Sequence, residues 1–77
     1  MIISVDDIDS SNIKALSWNS NTDWNCNVIF NNNSVYSYKL VPIDNFLSVI
    51  RAKSIGSTFN DLIKTQFEAK NLNGAKQ

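Results

Sequence analysis

The 77-residue chain has no histidine, one cysteine, one proline and two glycines, and its seven acidic residues balance seven basic ones. Each shortage excludes something. Without His, no side chain has an ordinary pKa near neutrality for acid–base chemistry. A single Cys closes no internal disulfide and cannot supply the thiolates of a zinc site, which points to a reducing compartment. Zero net charge advertises no strong affinity for polyanions. No apolar run approaches the roughly 18 residues of a membrane span. The opening Met1-Ile2-Ile3-Ser4-Val5 is too short for a signal-peptide core, lacks a basic flank and runs into Asp6-Asp7. A small cytoplasmic protein with one thin core is expected, because a chain of this size buries only about 60% of its unfolded surface. No enzyme is expected, since nothing here is equipped for general acid–base work. No cofactor or metal is expected either. Asp6, Asp7 and Asp9 lack the Gly and distal Glu of an EF-hand loop and read as a solvated acidic stretch.

Amides are what the chain has in abundance: twelve Asn and ten Ser. The Asn residues interrupt clear apolar periodicities, so this is not a low-complexity linker. Such a bias accompanies AT-rich coding, as in many bacteriophage and low-GC bacterial genomes. The charges, neutral in sum, are segregated. Residues 1–38 hold one cation against four acids (net −3), and residues 39–77 six cations against three acids (net +3). Internal complementarity accounts for this, and so does a two-signed surface for a macromolecular partner.

Ile13 to Trp18 predicts a strand with Leu16 and Trp18 on one face and Ile13 and Ala15 on the other. Asn19 to Asp23 is a turn by composition. Trp24, Cys26, Val28 and Phe30 then alternate with Asn25, Asn27 and Asn31, broken only by Ile29, and this is the period of a half-buried strand. Asn31-Asn32-Asn33 tolerates the positive φ of a tight hairpin, and a third strand follows with Tyr36, Tyr38 and Leu40 on one face. Pro42 can open a helix. Ile43, Phe46, Leu47 and Ile50 form one amphipathic stripe, with Asp44 in the first turn and Arg51 and Lys53 in the last. Gly56 ends the connection at a position read as needing positive φ, Ser57 caps a second helix, and Phe59, Leu62, Ile63 and Phe67 form its stripe. The fold class expected is α+β: a three-stranded antiparallel meander followed by two helices packed on one face. Residues 1–9 read as a lead-in and residues 71–77 as a frayed tail.

Several short motifs then fall into a recognisable order. They are Ser10-Ser11-Asn12-Ile13, the aromatic Trp18, the Cys26/Val28/Phe30 strand, Tyr36-Ser37-Tyr38, Val41-Pro42, and Ala52-x-Ser54-x-Gly56-x-x-Phe59-Asn60-x-x-Ile63. Together they resemble the KTSC domain, named for the C-terminal extension of some lysyl-tRNA synthetases and found also as stand-alone small proteins of bacteria and phages. The resemblance covers roughly residues 10–67, within a single domain expected over 10–70. The chain has Ser17-Trp18-Asn19 where the family usually has Gly-Tyr-Asp, Asn33-Ser34 where it usually has Gly, and a mixed polar tail where it is often basic. RNA binding is what the synthetase context of the family implies.

Two sets of candidate residues follow. Tyr36 and Tyr38, two apart on a strand, point the same way and could stack bases, or pack their rings beneath the helices. Arg51, Lys53 and Lys64 could contact phosphates, or be ordinary solvated cations. Trp18 and Trp24 could pair across the first turn or anchor a protein interface, with the turn residues Asn32 and Asn33 beside them. Cys26, in an inward row and without a base, reads as a small buried hydrophobe. The leading expectation is a non-enzymatic binding module acting by macromolecular contact. A phage or mobile-element protein that occludes a host enzyme or a CRISPR-type defence ribonucleoprotein would look like this; RNA binding is the alternative. A protein partner is expected, an RNA or ribonucleoprotein partner stays open, as does self-association, and neither a membrane nor a small-molecule substrate is implied.

Overall fold

A computed structural model describes residues 1–21 and 23–72; Thr22 of the expected turn and residues 73–77 of the expected tail lie outside it. Five strands form one antiparallel sheet in chain order: β1 (Ile2–Val5), β2 (Ile13–Asn19), β3 (Asn25–Phe30), β4 (Val35–Tyr38) and β5 (Ala69–Asn71). Between β4 and β5 run α1 (Ile43–Ile50) and α2 (Ile55–Phe59), and α2 continues into a π-helical turn over Asn60–Lys64. The α+β class stands, but three strands become five.

The two added strands are hidden in the sequence for different reasons. Ile2-Ile3-Ser4-Val5 looks like a lead-in because it is short and barely alternates, yet it pairs with β2 from Ile2↔Asn19 to Val5↔Leu16. Ala69-Lys70-Asn71 has no β-branched residue and no apolar face. It is held from outside: Lys39 N–H donates to Glu68 O (3.2 Å) and Leu72 N–H to Val35 O (2.8 Å), closing the ladder at both ends. Asn71 therefore belongs to the sheet rather than to a tail.

The meander forms with three departures: Trp24 precedes β3 and Leu40 follows β4, each exposed and at positive φ (53° and 58°) instead of in its strand's apolar row, and β2 is bulged. β2 carries a bulge between Ile13, which faces Phe30, and Ala15, which faces Ile29. An extra residue there returns Ile13 to the same side as Leu16 and Trp18, and all three are buried. Asn33 supplies the left-handed residue of the β3–β4 hairpin (φ 69°). The buried face also takes Cys26, Val28 and Tyr38, and against it pack Val41, Phe46, Val49, Phe59 and Ile63. Burying a large apolar side chain contributes about 1.5–3 kcal/mol, so this single layer between helices and sheet carries the fold.

Pro42 caps α1 rather than entering it. Its φ of −61° and ψ of 146° are extended, and its carbonyl accepts from the N–H groups of Asn45 (3.1 Å) and Phe46 (3.3 Å). Asp44 does sit in the first turn, but the last turn holds no cation: Arg51 is the C-cap, and Lys53 lies beyond. Gly56 also differs from expectation. It is the second residue of α2, Ser54 holds the N-cap position, and no positive φ is needed there. In the π-turn Thr65 N–H reaches back five residues to Asn60 O (3.2 Å), and Asn45 Nδ2 of α1 donates to Leu62 O (3.0 Å), pinning the turn to the first helix.

Candidate functional site

One cleft of about 1140 Å³ opens on the helix side of the sheet. Its floor is aromatic. Phe30 meets Tyr36 edge-on at 5.7 Å and Phe59 at 6.1 Å, and Tyr38 meets Phe59 at 5.4 Å. This places both tyrosines on the face that packs toward the helices, because β4 pairs Tyr36 with Val28 and Tyr38 with Cys26 of the inward row. Tyr38 is 3% exposed, so it does not lie on an open sheet as a stacking platform. Burial, with Tyr36 and Cys26 close by, raises its phenol pKa. Tyr36 is half-buried, and its hydroxyl accepts from Asn71 Nδ2 of β5 at 3.5 Å.

The walls are polar. One is the loop into β2, from Asp9 to Asn12, together with the β3–β4 hairpin; the other is the α1–α2 connection with the start of α2. Ser10 organises the first wall. Its Oγ accepts from Asn12 N–H (3.2 Å) and Ile13 N–H (3.3 Å), while its carbonyl accepts from Asn31 Nδ2 (2.9 Å). The walls meet where Gly56 approaches Ser10: a Cβ on Gly56 would stand 3.0 Å from Ser10 Oγ. Lys53 and Lys64 border the same cleft against one acid, Asp9.

Of the five residues expected to contact nucleic acid, Tyr36, Tyr38, Lys53 and Lys64 thus come together. Arg51 does not; it is exposed at the end of α1, outside the cleft lining. The expected protein interface comes apart. Trp18 is 4% exposed and donates its indole N–H to Val41 O at 2.8 Å, so it is core and not an anchor. Nor does it pair with Trp24: its cross-strand partners are Ile3 and Cys26. Trp24 is 51% exposed. Asn32 and Asn33 are exposed at the opposite end of β3, with their side-chain Oδ1 atoms already accepting from Ser34 N–H (3.0 Å) and Lys14 Nζ (2.9 Å). Sequence reasoning misses Ser10, Asn31 and Asn60 as cleft residues. For Ser10 and Asn60 the signal is present in the Ser10-Ser11-Asn12-Ile13 and Ala52-to-Ile63 motifs.

Cys26 is fully buried, and burial alone pushes its thiol up to about 12, consistent with its reading as a packed hydrophobe. Among the described residues no three acidic or Cys side chains converge to hold a metal, and no helix is long and apolar enough to cross a membrane.

Residues 9–67 match the KTSC domain family. The chain belongs to it. The crystal structure of the KTSC domain protein YPO2434 from Yersinia pestis has the same fold, with a TM-score of 0.82 at 21% identity, over 94% of this chain and 99% of that one. No curated protein matches the sequence. Within the KTSC fold, the two ends of the motif series face each other. Ser10-Ser11-Asn12-Ile13 and Ser54-x-Gly56-x-x-Phe59-Asn60 line opposite walls of the cleft, and Phe30, Tyr36 and Tyr38 line its floor.

Proposed function

We propose that this KTSC domain is a non-enzymatic binding module that takes a short single-stranded RNA segment in the cleft. One observation carries the reading: the motif residues of the family, with Lys53 and Lys64, converge on that one cleft. The aromatic floor offers apolar contact to a base or ribose, the Ser and Asn walls offer donors and acceptors, and the two lysines answer phosphates. Two phosphate contacts give weak binding, with log K falling against log salt at a slope of about −1.4 for a single strand. Fluorescence anisotropy of a labelled octaribonucleotide across a salt series tests this. Lys53→Ala and Lys64→Ala should each flatten the slope by about 0.7, and Arg51→Ala should leave it alone. Equal losses from all three variants, or none, would sink the cleft assignment.

A second reading, contact with a protein such as a host enzyme or defence complex, is favoured by a different observation. Trp24 and Leu40 are both exposed, both held at positive φ (53° and 58°), and tied to each other's loops by Leu40 N–H to Asp23 O and Val41 N–H to Trp24 O, each 3.0 Å. Non-glycine residues held in the left-handed region cluster at ligand clamps and other functional sites. Retention of a protein partner after nuclease treatment, lost on Trp24→Ala, would favour this reading over the first.

A further inference from the structure

The two edges of the sheet are protected unequally. β5 carries Lys70 within its three residues, a charge that deters foreign strands. β1 has no charge, proline or bulge between Ile2 and Val5. Its ladder also shows which backbone groups are free. Ser20 N–H bonds Met1 O at 3.0 Å. By the alternation of an antiparallel pair, Ile3 and Val5 then bond to β2, and the N–H and C=O groups of Ile2 and Ser4 point outward. On the helix side Ile3 and Val5 are only half-buried, because no strand lies beyond them.

We propose that β1 is a self-association seam, pairing antiparallel with β1 of a second copy about a two-fold axis through Ser4. A two-fold normal to the sheet keeps the helices of both copies on one side, so residues that face each other must share a face. Ser4 opposite the second Ser4 satisfies this, and it sets Ile3 against the other copy's Val5. Each Ile2 then meets the other Asp6 position, so every outward group from Ile2 to Asp6 finds a partner; Asp7, at φ 53°, ends the run. Charge selects the antiparallel arrangement and leaves a second copy unopposed as its occupant. Parallel pairing would set the two Asp6-Asp7 pairs about 4.8 Å apart, whereas antiparallel self-pairing separates them by roughly 14 Å, beyond the screening length at physiological salt. A chain of zero net charge offers no long-range repulsion to a second copy. The proposal does not rest on the RNA reading.

The test is sedimentation equilibrium of the full chain from about 5 to 500 μM, with amide exchange followed at both ends of the range. The expected result is a concentration-dependent dimer in which the Ile2 and Ser4 amides become protected only at high concentration. Ser4→Lys sets two cations opposite each other, and Ser4→Pro deletes an N–H that β2 does not use. Each should weaken dimerisation at least about tenfold, since like charges oppose and the central bonds are lost, with the circular dichroism spectrum unchanged. Should Ser4→Pro fail to fold, Ser4→Lys alone decides between seam and no seam. A chain that stays monomeric at about 500 μM overturns the seam, as does a dimer that tolerates Ser4→Lys and leaves the Ile2 and Ser4 amides exchanging freely.

Discussion

The indole N–H of Trp18 donates to the carbonyl of Val41 at 2.8 Å, inside the core and across 23 residues of sequence. This bond ties the middle of the sheet to the junction where β4 hands over to α1, and it makes Trp18 part of the scaffold. Trp18→Phe keeps most of the apolar surface but leaves Val41 O without its buried donor, which should cost about 1–3 kcal/mol. Trp18→Ala adds a cavity and should cost about 3–5 kcal/mol, a large share of the stability of a domain this size. Urea denaturation reads both values. A Trp18→Phe variant as stable as the parent would show that the bond contributes nothing net.

Gly56 is needed for room, not for backbone freedom. Ala in place of Gly within a helix normally gains about 0.5–1 kcal/mol. Here the new Cβ would press on Ser10 Oγ, a group already holding two N–H donors. Gly56→Ala should therefore be neutral or destabilising in the native background, by up to about 1 kcal/mol. In a Ser10→Ala background the same change should move toward stabilisation by about 1 kcal/mol. Additive effects in the four-member cycle would mean that the two walls of the cleft do not press on each other.

How much of this can be read from the residues depends on what kind of signal each element sends. β3 sets Cys26, Val28 and Phe30 two apart with Asn25 and Asn27 between and only Ile29 breaking the alternation, and α1 repeats apolar residues at helical spacing, so local pattern suffices for both. β1 and β5 send almost no local signal, because their existence depends on neighbours far along the chain. The bulge at the start of β2 defeats any period-two reading, which is why the sequence pattern puts Ile13 on the wrong face. In the cleft, Tyr36, Tyr38, Lys53 and Lys64 are legible as residue types. Their meeting place is not, since it rests on the α1–α2 connection folding back over the hairpin. Trp18 looks like a surface anchor because a tryptophan has the same letter whether its N–H finds water or a carbonyl.

Alkaline pH should loosen the core through Cys26. Its folded pKa, about 12, lies above the ordinary value of 9.0 because the thiolate would be stranded without water. A group whose folded pKa is raised stabilises fully below the unfolded value and loses that contribution as pH climbs between the two. Tyr38 shifts in the same direction. Stability should then be flat with respect to these two groups near neutrality and decline above pH 9. Urea midpoints from pH 7 to 11 measure it, with Cys26→Ala expected to shift the whole curve down and to shallow the alkaline slope. At neutral pH the native thiol should resist a disulfide reagent that titrates it fully in denaturant. Rapid modification of the native protein would contradict its burial.

Leu40 is held at φ 58° while its side chain is 62% exposed. A left-handed conformation costs an L-residue about 1–2 kcal/mol, and the exposed side chain returns little apolar burial to offset that. Leu40→Gly removes the clash but loosens the unfolded chain by about 0.4–1 kcal/mol, so a net gain of up to about 1 kcal/mol is expected. Leu40→Asn, which tolerates this region without the same entropic cost, should do at least as well. Both variants keep the backbone N–H that donates to Asp23 O at 3.0 Å, so the β4–α1 junction should stay in place. Melting temperature at one fixed protein concentration is the measurement. Stabilisation by both variants would identify Leu40 as a position where stability is given up, and a partner-binding assay with the same proteins would show what the leucine is for. Destabilisation by both would mean that Leu40 packs on its neighbours in solution, and the case for Trp24 and Leu40 as a protein-facing pair would fail with it.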